Sequence, residues 1–243
     1  MEIIKVNQKR GHGNEVFHIE ILYPGVALGL QDTGFYTIGR IDHASFRPPG
    51  LVPMHPHRDD EILSYMRSGQ QIHKDTAGNQ EHINSTYMML MNAGSGVSHE
   101  EIAEGEVEML QIFMRPYKNG LQPMVQFHQF EETYSIDHWR LVAGNAGDAP
   151  LKLRVGTNIF DVRLSTGTRI SLPVAGTEAH HLLYCFNGTV TAEGRQLQKG
   201  DSLIFNNEHV AITAEAESDL ILFQIDAQTG YSVTGMFSGN QFL

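Results

Sequence analysis

An all-β fold is what the 243-residue sequence predicts, on three observations. Short runs rich in β-branched and aromatic residues recur along the chain. Glycine-containing turns separate many of them. No segment holds a 3.6-residue apolar spacing for three turns. Regularly spaced strands of this kind close into sandwiches or barrels, with few and short helices.

The expected strands follow in order: VFHIEILY, FYTIGRIDHASF, EILSYM, YMMLMNA and VEMLQIFM, then NIFDVRL, HHLLYCF, DSLIF and DLILFQI. Turn chemistry lies between them at Asp75–Gln80, Asn92–Gly96, Phe186–Thr189 and Ala192–Gln196. The chain also reads as two similar halves, since ILSYMRSG and LLYCFNG are both apolar strands ending in glycine. A first domain is expected over 1–127, a connecting segment over 128–150 and a second domain over 151–243.

Composition narrows the function. With 41% hydrophobic residues the chain can bury a substantial core. A formal net charge of −11 without a basic run argues against a nucleic-acid groove, which needs clustered Lys and Arg. Cys185 is the single cysteine, so no intrachain disulfide forms; LLYCFNG around it reads as a buried strand, and the thiol as packing. The N-terminus lacks the apolar core of a signal peptide, and no apolar run approaches the roughly 20 residues of a membrane span. A soluble cytoplasmic protein is expected.

The stretch MHPHRDDEILSYM carries the chemistry. Side chains alternate along a strand, so His55 and His57 point to one face while Pro56 points to the other. Proline is tolerated there at a strand edge or start. His99 and Glu101 repeat the spacing beside the turn NAGSG. Two such pairs on adjacent strands aim three imidazoles and a carboxylate at one point. Imidazole suits Fe, Zn, Ni and Cu, and a carboxylate oxygen shifts the preference toward iron or manganese. Four protein ligands leave open positions on an octahedral ion, a catalytic pattern rather than a closed structural one. Glu61, four residues after His57, competes with Glu101 for the carboxylate position. Asp59 and Asp60 read as a solvated corner, and His73 and His82 as exposed neighbours flanking a hairpin turn. His180 and His181 face opposite sides of a strand and cannot chelate together. His209, near the corresponding turn of the second half, has no HxE partner, so that half reads as having kept the architecture and lost the metal.

These residues resemble the pirin family of the cupin superfamily. The matches are PHPHRDDEILSYMRSG, HKDTAGN, MNAGSGVSHEE, QIFMRP and the early RGHG, densest between about Gly50 and Pro116. Asn92 stands where a hydroxyl residue is more usual, and the second half matches only in strand pattern. The resemblance implies two cupin barrels of jelly-roll type facing each other, with metal in the N-terminal one alone. It assigns the ligands to His55, His57, His99 and Glu101, deciding Glu101 over Glu61. It implies one divalent ion, Fe first, with Zn, Ni, Mn or Cu as alternatives. Some family members resemble quercetinases, which open a flavonol ring with dioxygen. The implied activity is therefore a dioxygenase taking a small aromatic substrate, with Glu101 as the base that removes the flavonol hydroxyl proton. Met88, Leu90, Met109 and Ile112 are then candidates to line the barrel, with core packing as their default. The competing expectation is a non-enzymatic iron-binding redox sensor or transcriptional co-regulator acting through a protein partner. A zinc or nickel cupin with lyase or isomerase chemistry is a third.

Overall fold

A computed structural model describes every residue except 177 and 207–209, so His209 lies outside the described residues. Among the described residues the chain is all-β, with one short helix, Pro24–Ala27, and one 3-10 turn, Val6–Gln8. No helix among the described residues is long and apolar enough to cross a membrane. All nine apolar runs named above form strands.

Two compact units divide the chain, each cupin-like and each built from a seven-stranded and a four-stranded sheet. One unit comprises Lys9–Thr133, Leu153–Val155 and Gly230–Leu243. Its larger sheet runs Met124–Gln129, Tyr87–Asn92, Glu61–Ser68, Val107–Met114, Ile38–Phe46, Phe17–Leu22 and Arg10–Gly13, every pairing antiparallel. Its smaller sheet runs Leu51–His57, Val97–Ala103, Gln70–Asp75 and Gln80–Asn84. Ile62, Met66, Met89 and Met91 from the first sheet pack with Ile83, Val97 and Ala103 from the second in one core. The strand Val97–Ala103 shows the underlying period: its odd-numbered residues are buried and its even-numbered ones half exposed.

The other unit comprises Met1–Gln8, Tyr134–Lys152 and Gly156–Thr229. Its seven-stranded sheet starts at Glu2–Ile4, paired with Ser202–Asn206, and its core gathers Val162, Leu183, Cys185, Phe205, Ile212 and Leu222. The Cys185 thiol is buried and directs its Sγ toward the Asn187 carbonyl at 3.5 Å. The chain ends are thus exchanged: the first eight residues join the unit made mostly of later sequence, and the last fourteen join the earlier one. Paired strands explain the first exchange, because Glu2–Ile4 completes a sheet edge there. The region 128–150 is not plain linker. It contributes part of Met124–Gln129 to one unit and Arg140–Gly144 to the other.

The repeated glycine after an apolar strand has a physical cause in both units. Gly69 has φ +77°, and a Cβ there would lie 2.1 Å from the Glu106 carbonyl oxygen. Gly188 has φ +86°, and a Cβ there would lie 2.3 Å from Ser218 Oγ. Only glycine fits such a left-handed, crowded corner.

Candidate metal centre

The site is built on the four-stranded sheet of the earlier unit. Leu51–His57 is its edge strand, which is why Pro53 and Pro56 are tolerated. It pairs antiparallel with Val97–Ala103 so that His55 sits opposite His99 and His57 opposite Val97. The register shifts between His99 and Glu101 on this side. On the other side pairing is regular, with His99 opposite Asp75 and Glu101 opposite His73.

This register brings three imidazoles together. His57 Nε2 lies 3.0 Å from His99 Nε2, which lies 3.1 Å from His55 Nε2. Among the described residues, His55, His57 and His99 form the one group of three or more potential metal-binding side chains whose ligand atoms lie within 4.8 Å of one another. Donor chemistry supports a cation. His55 Nδ1–H donates to the Pro53 carbonyl at 2.9 Å, which leaves the Nε2 lone pair facing the other two rings. Two nitrogens bound about 2.1 Å from one ion at right angles lie about 3.0 Å apart, matching the observed spacing. Burial, reinforced by the surrounding His57, His55 and His73 rings, pushes His99 far below the ordinary imidazole range, so the ring is neutral and available as a ligand. His55 is lowered too, by burial first, against the opposing Pro53 hydrogen bond.

Glu101 borders the same cavity as His55 and His57 but lies outside the three-nitrogen group. Gln71 Nε2 and Gln111 Nε2 both donate to its Oε1, at 3.0 and 3.1 Å. Burial pushes its pKa up to about 7, although the two amide hydrogen bonds pull the other way. The cavity, about 120 Å³, is walled by Phe17, Phe46, Met109, Phe113 and Phe237, with Arg40 at one side. Arg40 is held by Asp42 through two hydrogen bonds of 2.6 and 2.5 Å. Of the four apolar side chains named as lining candidates, Met109 borders this cavity, while Met88, Leu90 and Ile112 are fully buried core.

Three expectations need correction. Glu61 is not free to act as a ligand. Asp59, with φ +55°, breaks the strand after His57, so the alternation does not carry on, and Glu61 opens a strand of the other sheet. Its carboxylate accepts hydrogen bonds from the Arg154 backbone N–H at 3.0 Å, Arg154 Nε at 2.8 Å, and Asn92 Nδ2. Asp59 and Asp60 are not a solvated corner but buried. Asp60 accepts from the backbone N–H groups of Phe237 and Ser238 and from Ser238 Oγ, while Asp59 accepts from Gly120 N–H at 2.6 Å. His73 is not exposed. It lies on an inner strand whose odd-numbered residues Gln71, His73 and Asp75 are all buried, while Ile72, the apolar residue of QQIHKD, is only half-buried on the opposite face. His82 is exposed, as expected.

Residues 35–114 match the Pirin family and residues 141–225 match the quercetinase C-terminal cupin domain. The chain belongs to the pirin family. A protein named quercetin 2,3-dioxygenase, from Escherichia coli (strain K12), is 28% identical over 176 residues, 70% of this chain and 74% of its own length. The crystal structure of the Escherichia coli pirin YhhW in complex with nickel(II) superposes with a TM-score of 0.81 at 23% identity, covering 93% of this chain and 98% of that one. A quercetin 2,3-dioxygenase structure from Acinetobacter baumannii gives 0.77 at 21% identity, covering 98% and 91%. At these identities the two structures establish a shared fold.

Proposed function

We propose that this pirin is a metal-dependent dioxygenase that opens a flavonol-type phenol, with His55, His57, His99 and Glu101 as its metal-site residues. The convergence of three Nε2 atoms beside a buried carboxyl carries the proposal. The name of the Escherichia coli relative supports the substrate class. Bound at the triad, a divalent ion supplies the redox and Lewis-acid chemistry that lets a phenol react with dioxygen, and we propose iron for that ion.

The chain's own residues do the rest. Glu101 has both amide donors on Oε1, so its Oε2 is the oxygen left to take the flavonol hydroxyl proton. Burial pushes this carboxyl up to about 7, and a bound divalent ion beside it favours the ionised form, the form that accepts a proton. Phe17, Phe113 and Phe237 offer flat apolar walls to an aromatic ring and keep water from the reacting carbon. The cavity of about 120 Å³ is smaller than the roughly 300 Å³ of typical ligand pockets, so a three-ring substrate enters by displacing a wall. Phe237 comes from the C-terminal segment, its backbone held by Asp60 while its ring faces the cavity, so the displacement falls on the side chain.

The test is elemental analysis of untagged protein followed by quercetin consumption with simultaneous dioxygen uptake. One bound ion per chain and one dioxygen consumed per quercetin are expected. Quercetin loss that persists in metal-free protein would overturn the mechanism.

A further inference from the structure

The hairpin HKDTAGN has no role in the chemistry above, yet it reaches the metal centre. His73 and Asp75 lie on the strand paired with Val97–Ala103, on the same buried face as His99. His99 Nδ1 lies 3.4 Å from His73 Nδ1, and His73 Nε2 lies 2.9 Å from Asp75 Oδ2. We propose that His73 and Asp75 are positioning residues, a carboxylate–imidazole chain that fixes His99 with its Nε2 lone pair turned toward the ion. The proposal rests on the His55, His57 and His99 triad being the metal site.

One proton arrangement satisfies every contact in the chain. A ring that ligates through Nε2 carries its proton on Nδ1, so His99 Nδ1–H donates to a lone pair on His73 Nδ1. His73 is then protonated on Nε2 and donates to Asp75. The reverse arrangement puts the His99 proton among the three converging Nε2 atoms. It also sets a bare His73 nitrogen against the Asp75 carboxylate, two acceptors at 2.9 Å. The buried carboxylate therefore selects the tautomer two rings away.

Asp75 can do this because the turn holds it. Its Oδ1 accepts from Ala77 N–H at 2.9 Å and Asn79 N–H at 3.1 Å, and its Oδ2 accepts from Asn79 Nδ2 at 2.8 Å. The turn residues of HKDTAGN are thus the outer anchor of a metal ligand. His55 has its own device, the Pro53 carbonyl, whereas His57 Nδ1 is buried without a hydrogen-bond partner among the described residues. Outer partners of ligating histidines typically change metal affinity about 10–100-fold when removed.

The experiment uses the full chain. Ni(II) affinity is measured by competition with a chelator for wild type, His73→Phe, Asp75→Asn and His55→Ala. Imidazole tautomers are read by 15N NMR on the wild-type protein, which does not depend on any variant folding. Expected are about 10–100-fold weaker Ni(II) binding in His73→Phe and Asp75→Asn, and an Nε2–H tautomer at His73. Variants that bind within twofold of wild type while His55→Ala loses binding would overturn the chain and leave the triad standing. An Nδ1–H tautomer at His73 would also overturn it. Wild-type affinity in His55→Ala would instead remove the triad reading on which it rests.

Discussion

Removing Arg154 isolates a buried charge and asks whether Glu61 is structural. Glu61 is fully buried, and Arg154 donates to it from both its backbone N–H and its guanidinium. Burial raises the Glu61 pKa, and the attraction of Arg154 opposes that rise without cancelling it. Arg154→Met deletes the opposing charge and leaves the carboxyl in place. Breaking a buried pair on one side costs about 3–5 kcal/mol. For a chain of this size that is a fall in Tm on the order of 10 °C. The sign of the pH dependence follows from linkage. An acid whose folded pKa is raised binds more protons folded than unfolded, so stability falls as pH rises from the unfolded value of about 4.3 toward the folded one. Taking away Arg154 raises the folded pKa further and widens that window. The loss should therefore be small near pH 4.5, where Glu61 is protonated in the variant, and largest above pH 7. Thermal melts of wild type and Arg154→Met across pH 4.5–8 measure it, with Glu61→Gln/Arg154→Met as the control that removes the charge. A loss independent of pH, or one not relieved by Glu61→Gln, would refute the reasoning. Metal content in Arg154→Met should equal wild type; a drop in step with Glu61 perturbation would return Glu61 to the ligand set.

The remaining predictions concern the site. His57→Ala should abolish stoichiometric metal, read by elemental analysis, because the Nε2 cluster loses a member. Glu101→Gln should weaken metal binding and, in protein reloaded to one ion per chain, lower quercetin turnover by about 10²–10⁴-fold, the range of a lost general base; equal turnover in the reloaded variant would exclude Glu101 as the base. Phe237→Ala should lower KM for flavonols more than for single-ring catechols, because it opens the wall that a larger substrate must displace; parallel changes in the two KM values would contradict this.

The fold was legible because each strand carries its own signal. Val107–Met114 and Ser218–Asp226 read as strands without knowledge of their partners. The grouping of the three rings was legible for the same reason: i and i+2 spacing needs only a strand, and the register that sets His55 against His99 brings them together. What could not be read depended on distant chain. Asp60 looks solvated until Phe237 and Ser238, nearly 180 positions away, arrive to donate to it. Glu61 looks like a ligand until Arg154, 93 positions on, occupies it. His73 is different again, because alternation in QQIHKD would bury apolar Ile72 and expose His73, whereas the structure turns the polar face Gln71, His73 and Asp75 inward, where His99 and the turn residues partner it.

The exchanged ends have a practical meaning for anyone dividing the gene. A cut near the midpoint yields no self-sufficient half. The leading fragment would lack Gly230–Leu243, stranding the Asp60 carboxylate without its donors and stripping Phe237 from the wall beside His57. The trailing fragment would miss Glu2–Ile4, leaving the backbone of Ser202–Ile204 open to unwanted strand pairing. Domain-level work on this protein needs circular permutation or co-expression of the pieces, rather than truncation.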